Sequence, residues 1–345
     1  MTTTIQSIFL IDTHVSILNN LGQDDTTIYE NSVAVKKIKK EGRVYTYVSG
    51  QAFRNWLRIT LGKDLGWQLS PVIREKKIAF TAAQPIEYED DDMFGYMKAE
   101  KSKTLTRLSP FKNSALISVT PVKINNEFNV MARQEGDPVP YGNQPYSAVL
   151  KGIFSIHVDS VGTFYSVNKT GYLNCTEDYI EDYIKKHSGA LTYEDDPFFV
   201  KDVNTPHKRY RLKKEDRMKR TADLLQAINR VSGGASQTSH LTDVTPKFMI
   251  LAAIEGGNHI FSHVISENSE RQTDFSTDAF KEILSDYKNE IKTHVYIGRR
   301  KGFMDFWEDR IQELVKNSEN KIIYGSPVKI VNDFVESKEF KEFFS

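Results

Sequence analysis

The chain has 345 residues, and 46 lysines and arginines balance 46 aspartates and glutamates, so its formal net charge is zero. With 39% hydrophobic and 27% charged residues it has the composition of a folded globular protein of one large or two to three small domains, which excludes collagen-like, disordered and disulfide-stapled classes. A single cysteine, Cys175, excludes an intrachain disulfide and a cysteine zinc cluster. Zero net charge argues against coating nucleic acid over the whole surface but leaves room for a local basic groove.

The first predicted element is a buried strand over Ile5 to Leu18, rich in β-branched and aromatic residues. Its apolar run Ile8 to Ile11 is interrupted by Asp12 and His14, with no basic segment before it and no small-residue cleavage site after it. It therefore reads as a strand and not a signal peptide. No window approaches the roughly 18 apolar residues of a membrane helix. A cytoplasmic location and no membrane partner are the expectation.

A basic, hairpin-like region follows, with Lys36, Lys37, Lys39, Lys40 and Arg43, and leads into the β-rich run 44–48. Ser49 then caps a helix that Gly62 is expected to stop. Phe53, Trp56, Leu57 and Leu61 share one face of that helix, and Gln51, Arg54, Asn55 and Arg58 another. Residues 63–105 show no strand pattern and carry the acidic cluster Glu87 and Glu89 to Asp92, so they read as an inserted, partly helical lobe.

A second strand is predicted over 114–122. Residues 123–145 are too long for a tight turn and too poor in apolar residues for a core. A third strand spans 146–160, and the acidic stretch 172–198 reads as a surface excursion. Residues 208–220 hold eight basic and two acidic residues and open a helix with Met218, Ala222, Leu225 and Ile228 on one face, ended by the glycines of 232–236. A fourth strand covers 246–254, followed by a helix from about Ser276 to Ile291, a strand at 294–298 and a final helical region. Strand, helix, strand, strand, helix, strand is the ferredoxin-like order, shared by RNA-recognition modules whose sheet carries nucleotides. Topology by itself does not fix function.

Four constellations could carry function. The helix opening at Ser49 and Gly50 offers free N–H groups and a positive dipole end, with Arg54 and Arg58 spaced i, i+4 beside Gln51 and Asn55. The loop Gly233, Gly234, Ala235, Ser236 could approach a phosphodiester backbone. Phe128, Val130 and Met131 on the long loop could wedge between bases or dock on a neighbour. Lys208, Arg209 and Arg211 could meet phosphates. Each also has a plain structural reading as a solvated helix face, a helix end, a loop or a solvated charge run, and the residues alone leave both open. Phosphate-loop, zinc-protease and serine-hydrolase motifs are missing from the sequence, and no cofactor or metal is expected.

Five segments together resemble a known family: the strand ending at 18–20, residues 48–58, 91–101 and 107–122, and the glycine loop 233–235 with the strand after it. They resemble the backbone subunits of type I CRISPR surveillance (Cascade) complexes, the DevR-type branch of the Cas-seven family, with type I-B the expected subtype. The resemblance implies an α+β fold. Its ferredoxin-like (RRM-like) palm would comprise 1–62, 107–122 and 146–260, with a helical finger insertion at 63–106, a β-hairpin thumb at 123–145 and a C-terminal α/β extension at 261–345 packing on the palm.

It implies a non-catalytic subunit that stacks in copies along a CRISPR guide RNA, with its thumb kinking the RNA of the next copy. Ser49, Gly50, Gln51, Arg54, Asn55 and Arg58 would hold phosphates. Met97, near Phe94 and Tyr96, would wedge at the kink, Phe128 or Met131 would support it from the thumb, Lys98 would bind RNA, and Gly233 to Ser236 would lie near the backbone. The implied partners are the guide, the target DNA strand paired to it, other copies, other Cascade subunits, and a helicase-nuclease or transposition partner. The alternatives are a metal-dependent RNA-cleaving relative of type III complexes using Asp24 or Asp25, and a DNA-binding autoregulator.

Overall fold

The structure is a computed structural model that describes residues 2–20, 22–23, 32–100, 103–133, 135–202, 205–318 and 321–344. Asp24 and Asp25 lie outside the described residues. The frame is a nine-stranded sheet. Its strands run in the order Ile322–Gly325, Val295–Arg299, Phe248–Glu255, Thr3–Ser16, Tyr146–His157, Leu116–Ser118, Arg43–Val48 and Lys37–Lys40, with Phe111–Asn113 also pairing Tyr146–His157. All of these pairs are antiparallel except Val295–Arg299 with Ile322–Gly325. The four strands expected first to fourth lie in the spatial order fourth, first, third, second.

The central strand Thr3–Ser16 is buried on both faces, which is why it reads as a continuous apolar run. Ile8 sits opposite Ile153 on one side and Ile250 on the other. Because side chains alternate, Ile5, Phe9 and Ile11 enter a core formed with Phe53, Trp56 and Leu57 of the helix Gly50–Asp64 and Leu224, Leu225 and Ile228 of the helix Lys214–Ile228. Ile8 and Leu10 point the other way, into a second core with Phe248, Phe261, Phe275, Phe280 and Trp307. The C-terminal residues thus cover this face of the sheet. Aromatic rings fill this face, so it is not open for bases to stack on.

Three local expectations change. The helix from Ser49 does not stop at Gly62 but runs to Asp64, and the glycine in left-handed geometry beyond it is Gly66, φ +72°. The inserted segment is mostly hairpin: Val72–Glu75 pairs with Ile78–Thr81, Tyr96–Ala99 pairs with Thr104–Arg107, and its helix, Glu89–Phe94, has six residues. The acidic excursion builds a layer of its own. The helix Glu177–Lys186 and the strands Thr163–Tyr165, Leu191–Asp202 and Thr205–Leu212 enclose Phe164, Cys175, Ile180, Leu191 and Leu212. Burial there pushes the Cys175 thiol up to about 12, so it is a packing residue and not a nucleophile. Residues 123–145 form a hairpin, Glu127–Met131 against Val139–Asn143.

Candidate nucleic-acid interface

The helix that begins at Gly50 is capped as the sequence predicts. Ser49 Oγ accepts from Ala52 N, 3.3 Å away. Its first turn carries no carboxylate, so the positive end of its dipole is not neutralised by a neighbour on the helix. Gln51 and Asn55 are exposed. Gly50 does admit a close backbone, but one from the same chain: a Cβ there would stand 3.0 Å from Asn113 Nδ2 and 3.3 Å from the Ser114 carbonyl.

The two arginines one turn apart are not a free basic stripe. Arg54 donates from Nε to Asn113 Oδ1 at 2.6 Å and from Nη2 to the Phe111 carbonyl at 2.9 Å. Burial, and then the neighbouring charge of Arg58, hold its pKa below the usual guanidinium value. Arg58 stacks over the Phe94 ring at 4.4 Å and pairs with Asp90 at 3.5 Å, and 29% of its side chain is exposed. Arg58 therefore fastens the helix to the inserted segment and Arg54 fastens it to the strand Phe111–Asn113, because a ring face and a carboxylate stand opposite the one and a carbonyl opposite the other.

The loop Gly233–Ser236 lies on this helix and not apart from it. A Cβ at Gly233 would come within 2.2 Å of the Trp56 ring, so only glycine fits. Ala235 N donates to the Leu18 carbonyl at 3.1 Å, and Ser232 N reaches Thr60 Oγ1 at 3.4 Å. Gly234 (φ +112°) and Ser236 (φ 56°) both adopt left-handed backbone. Asn19, at the end of the first strand, donates to the Tyr47 carbonyl just ahead of the helix. All five resembling segments thus meet at this helix.

Two hairpins present apolar side chains at the surface. Met97 is 73% exposed on the strand Tyr96–Ala99. Its flanking rings turn inward: Phe94 is buried and Tyr96 donates to the Asn174 carbonyl at 2.6 Å. Lys98 does not stand free, since its Nζ pairs with Glu100 at 3.6 Å and donates to the Ala82 carbonyl at 3.3 Å. On the hairpin Glu127–Asn143, Phe128 is 54% and Met131 51% exposed. That hairpin is tied to the sheet edge at its base, where Val122 N donates to the Val44 carbonyl and Gln144 Oε1 accepts from Val35 N. Sequence reading missed the exposed Val72 and Ile78 of the other hairpin of the inserted segment. β-branched residues on either side of the charged turn at 75–77 were the available signal.

The charge clusters pair within the chain. Asp90, Asp91 and Asp92 are buried, and each caps a different loop, accepting from Ser70 N, Gln84 N and Gly162 N respectively. Asp92 also binds Arg107 and Arg220. Arg209 and Arg211 lie on a strand and pair with Glu194, and Lys208 sits over the Tyr193 ring, so this run is not a free phosphate-binding stripe. Lys37, Lys39 and Lys40 stay exposed on the edge strand. Among the described residues no cluster of three or more His, Cys, Asp or Glu side chains is arranged to hold a metal ion, and no helix is long and apolar enough to cross a membrane.

Two solved structures share this fold. One is a chain of a CRISPR RNA-guided surveillance complex, with TM-score 0.50 and 11% identity, covering 96% of this chain and 98% of that one. The other is a chain of a CRISPR RNA-guided surveillance complex in a pre-nicking state, with TM-score 0.52 and 12% identity, covering 96% and 99%. No curated relative matches the chain. The model of one family, the CRISPR-associated negative auto-regulator DevR/Csa2 family, matches residues 18–272. That span takes in the first strand's end, the capped helix, both hairpins and the glycine loop, and the chain belongs to this family.

Proposed function

We propose that the chain is a non-catalytic CRISPR RNA-binding backbone subunit, stacking in copies along a guide RNA within a type I Cascade-type complex. In this reading the four central strands and the helices Gly50–Asp64 and Lys214–Ile228 are a ferredoxin-like palm, residues 63–106 a finger and the hairpin Glu127–Asn143 a thumb. The observation that carries it is the presence, in one chain, of a capped, acid-free helix start at Ser49 and of exposed apolar side chains, Met97 and Phe128, on two hairpins. A helix N-terminus suits a phosphate, and an exposed apolar side chain suits a base step that has been opened.

Ser49, Gly50, Gln51 and Asn55 are the residues placed to meet backbone phosphates and hydroxyls. Arg54 and Arg58 contribute field and rigidity, and the exposed part of Arg58 reaches toward the same strand. Gly233 to Ser236 set the position of Trp56 and hence of the helix. The target strand, the other subunits and a separate nuclease or transposition partner complete the assembly. The RNA-cleaving and autoregulator readings are not favoured.

The test replaces exposed residues on the helix face toward the proposed strand. Gln51→Glu with Asn55→Glu should keep the melting temperature while lowering RNA retention, read as particle size and the 260/280 nm absorbance ratio. Every phosphate interaction that the double variant removes should flatten the salt dependence of affinity by about one unit. Full RNA retention by the folded double variant would sink the assignment.

A further inference from the structure

The C-terminal extension contains a cavity of about 620 Å³ that no step of guide binding uses. It lies between the helix Thr277–Asp286, the start of the strand Val295–Arg299 and the end of the helix Glu308–Lys316. The whole cavity lies beyond residue 272, where the family match ends. Its floor is aliphatic: Leu284, Ile291, Val295, Leu314 and Ile322. Its rim is basic, with Lys281, Lys288, Lys292 and Lys321. The lining also holds Glu339, 3.4 Å from His294 Nδ1, and Lys292 pairs with Glu255 at 2.6 Å.

The chemistry of this site selects its occupant. A single-stranded nucleic acid is gripped through aromatic rings on which bases stack, and among the described residues no phenylalanine, tyrosine or tryptophan lines the cavity. An aliphatic floor inside a charged rim is instead the anatomy of a protein hot spot, where one apolar side chain is buried and polar groups close around it. The volume falls in the range of ordinary binding pockets and holds more than one side chain.

We propose that this cavity docks an acidic segment of a partner protein, with an apolar anchor seated between Leu284 and Leu314 and carboxylates on Lys281 and Lys288. The chain's own acidic helix, Glu177–Lys186, is a poor occupant. Its acids are exposed, but its Ile180 is buried in its own layer and leaves no anchor to offer.

The experiment uses the full chain and a short fluorescent peptide of repeated Glu-Glu-Leu, read by anisotropy. The peptide should bind, and Lys281→Glu with Lys288→Glu should weaken it by about tenfold or more while leaving the melting temperature unchanged. Replacing the peptide's leucines by serine should cost about as much. Equal binding of the serine peptide, no binding of either, or full displacement by a single-stranded oligonucleotide would each overturn the proposal. So would a concentration-dependent self-association abolished by the lysine variant, which would make a second copy the occupant. RNA retention should be unchanged in the lysine variant, so this test and that of guide binding fail independently.

Discussion

Arg220 reaches from the helix Lys214–Ile228 to the carboxylate of Asp92 on the inserted segment, Nη1 to Oδ2, at 2.6 Å. Arg107 holds the other oxygen of the same carboxylate, and Gly162 N donates to Oδ2 at 3.0 Å. Asp92 is wholly buried and both arginine side chains are nearly so. One carboxylate therefore joins the inserted segment, the strand end at Arg107, the loop at Gly162 and the helix Lys214–Ile228. Arg220 also donates to the carbonyls of Pro85 and Ile86, from Nη1 and Nη2.

Removing one partner of such a group leaves a buried charge without compensation. Asp92→Ala should destabilise the chain by about 3–5 kcal/mol, measured by urea unfolding. Arg220→Met should cost less, because Arg107 still neutralises Asp92. Equal costs for the two would mean that Arg107 does not share the charge.

Gly233 makes a second, steric prediction. A Cβ at this position meets the Trp56 ring at 2.2–2.5 Å. Gly233→Ala should cost about 1–3 kcal/mol through overpacking. Combining it with Trp56→Leu should return part of that cost, since the ring is the obstacle. Strict additivity of the two changes in a double-mutant cycle would assign the glycine to backbone geometry instead.

The central frame was legible because its signals are local and strong. The apolar first strand, the Ser49 cap and the one-sided faces of two helices each follow from a short stretch of residues. The partners of the charged residues were not legible. Asp90 to Asp92 look like a solvated acidic patch in sequence, and Arg217 and Arg220 like a solvated basic run. Yet their partners lie up to 135 positions away, as in the bond from Arg220 to the Pro85 carbonyl, and the Arg220–Asp92 pair spans 128. The same holds for Arg54, whose i, i+4 spacing with Arg58 fixes the face but not that Asn113 and Phe111 stand opposite it. Some of the balanced charge is thus neutralised inside the chain, in the pairs Arg58–Asp90, Arg107–Asp92 and Arg220–Asp92.

Asp90 gives the fold a pH dependence of defined sign. Burial, opposed by the hydrogen bond from Ser70 N, raises its pKa from 3.8 to about 6. The folded state then holds a proton that the unfolded state has lost between about pH 4 and pH 6. The stabilising contribution is complete below pH 4 and is lost as the pH rises through 6. Asp90→Asn keeps an acceptor for Ser70 N and removes the titration. The stability of this variant relative to the parent should therefore improve on going from pH 4 to pH 7, by on the order of 2–3 kcal/mol. A difference independent of pH would place the Asp90 carboxyl at its ordinary value.

The exposed side chains of the two hairpins separate a structural role from one in RNA geometry. Met97 is 73% exposed, so replacing it removes little packing, while Phe128 is about half buried. Met97→Ser should change stability by no more than about 0.5 kcal/mol, and Phe128→Ser should cost about 1 kcal/mol. If these side chains wedge at opened base steps, the protein should still retain RNA through the helix at Ser49. The bound guide should then lose the regular alternation of protected and accessible nucleotides under nuclease or chemical probing. A Phe128→Ser variant with an unaltered probing pattern would remove the hairpin from the RNA kink. A variant that releases RNA altogether would show that the hairpin contributes affinity and not only shape.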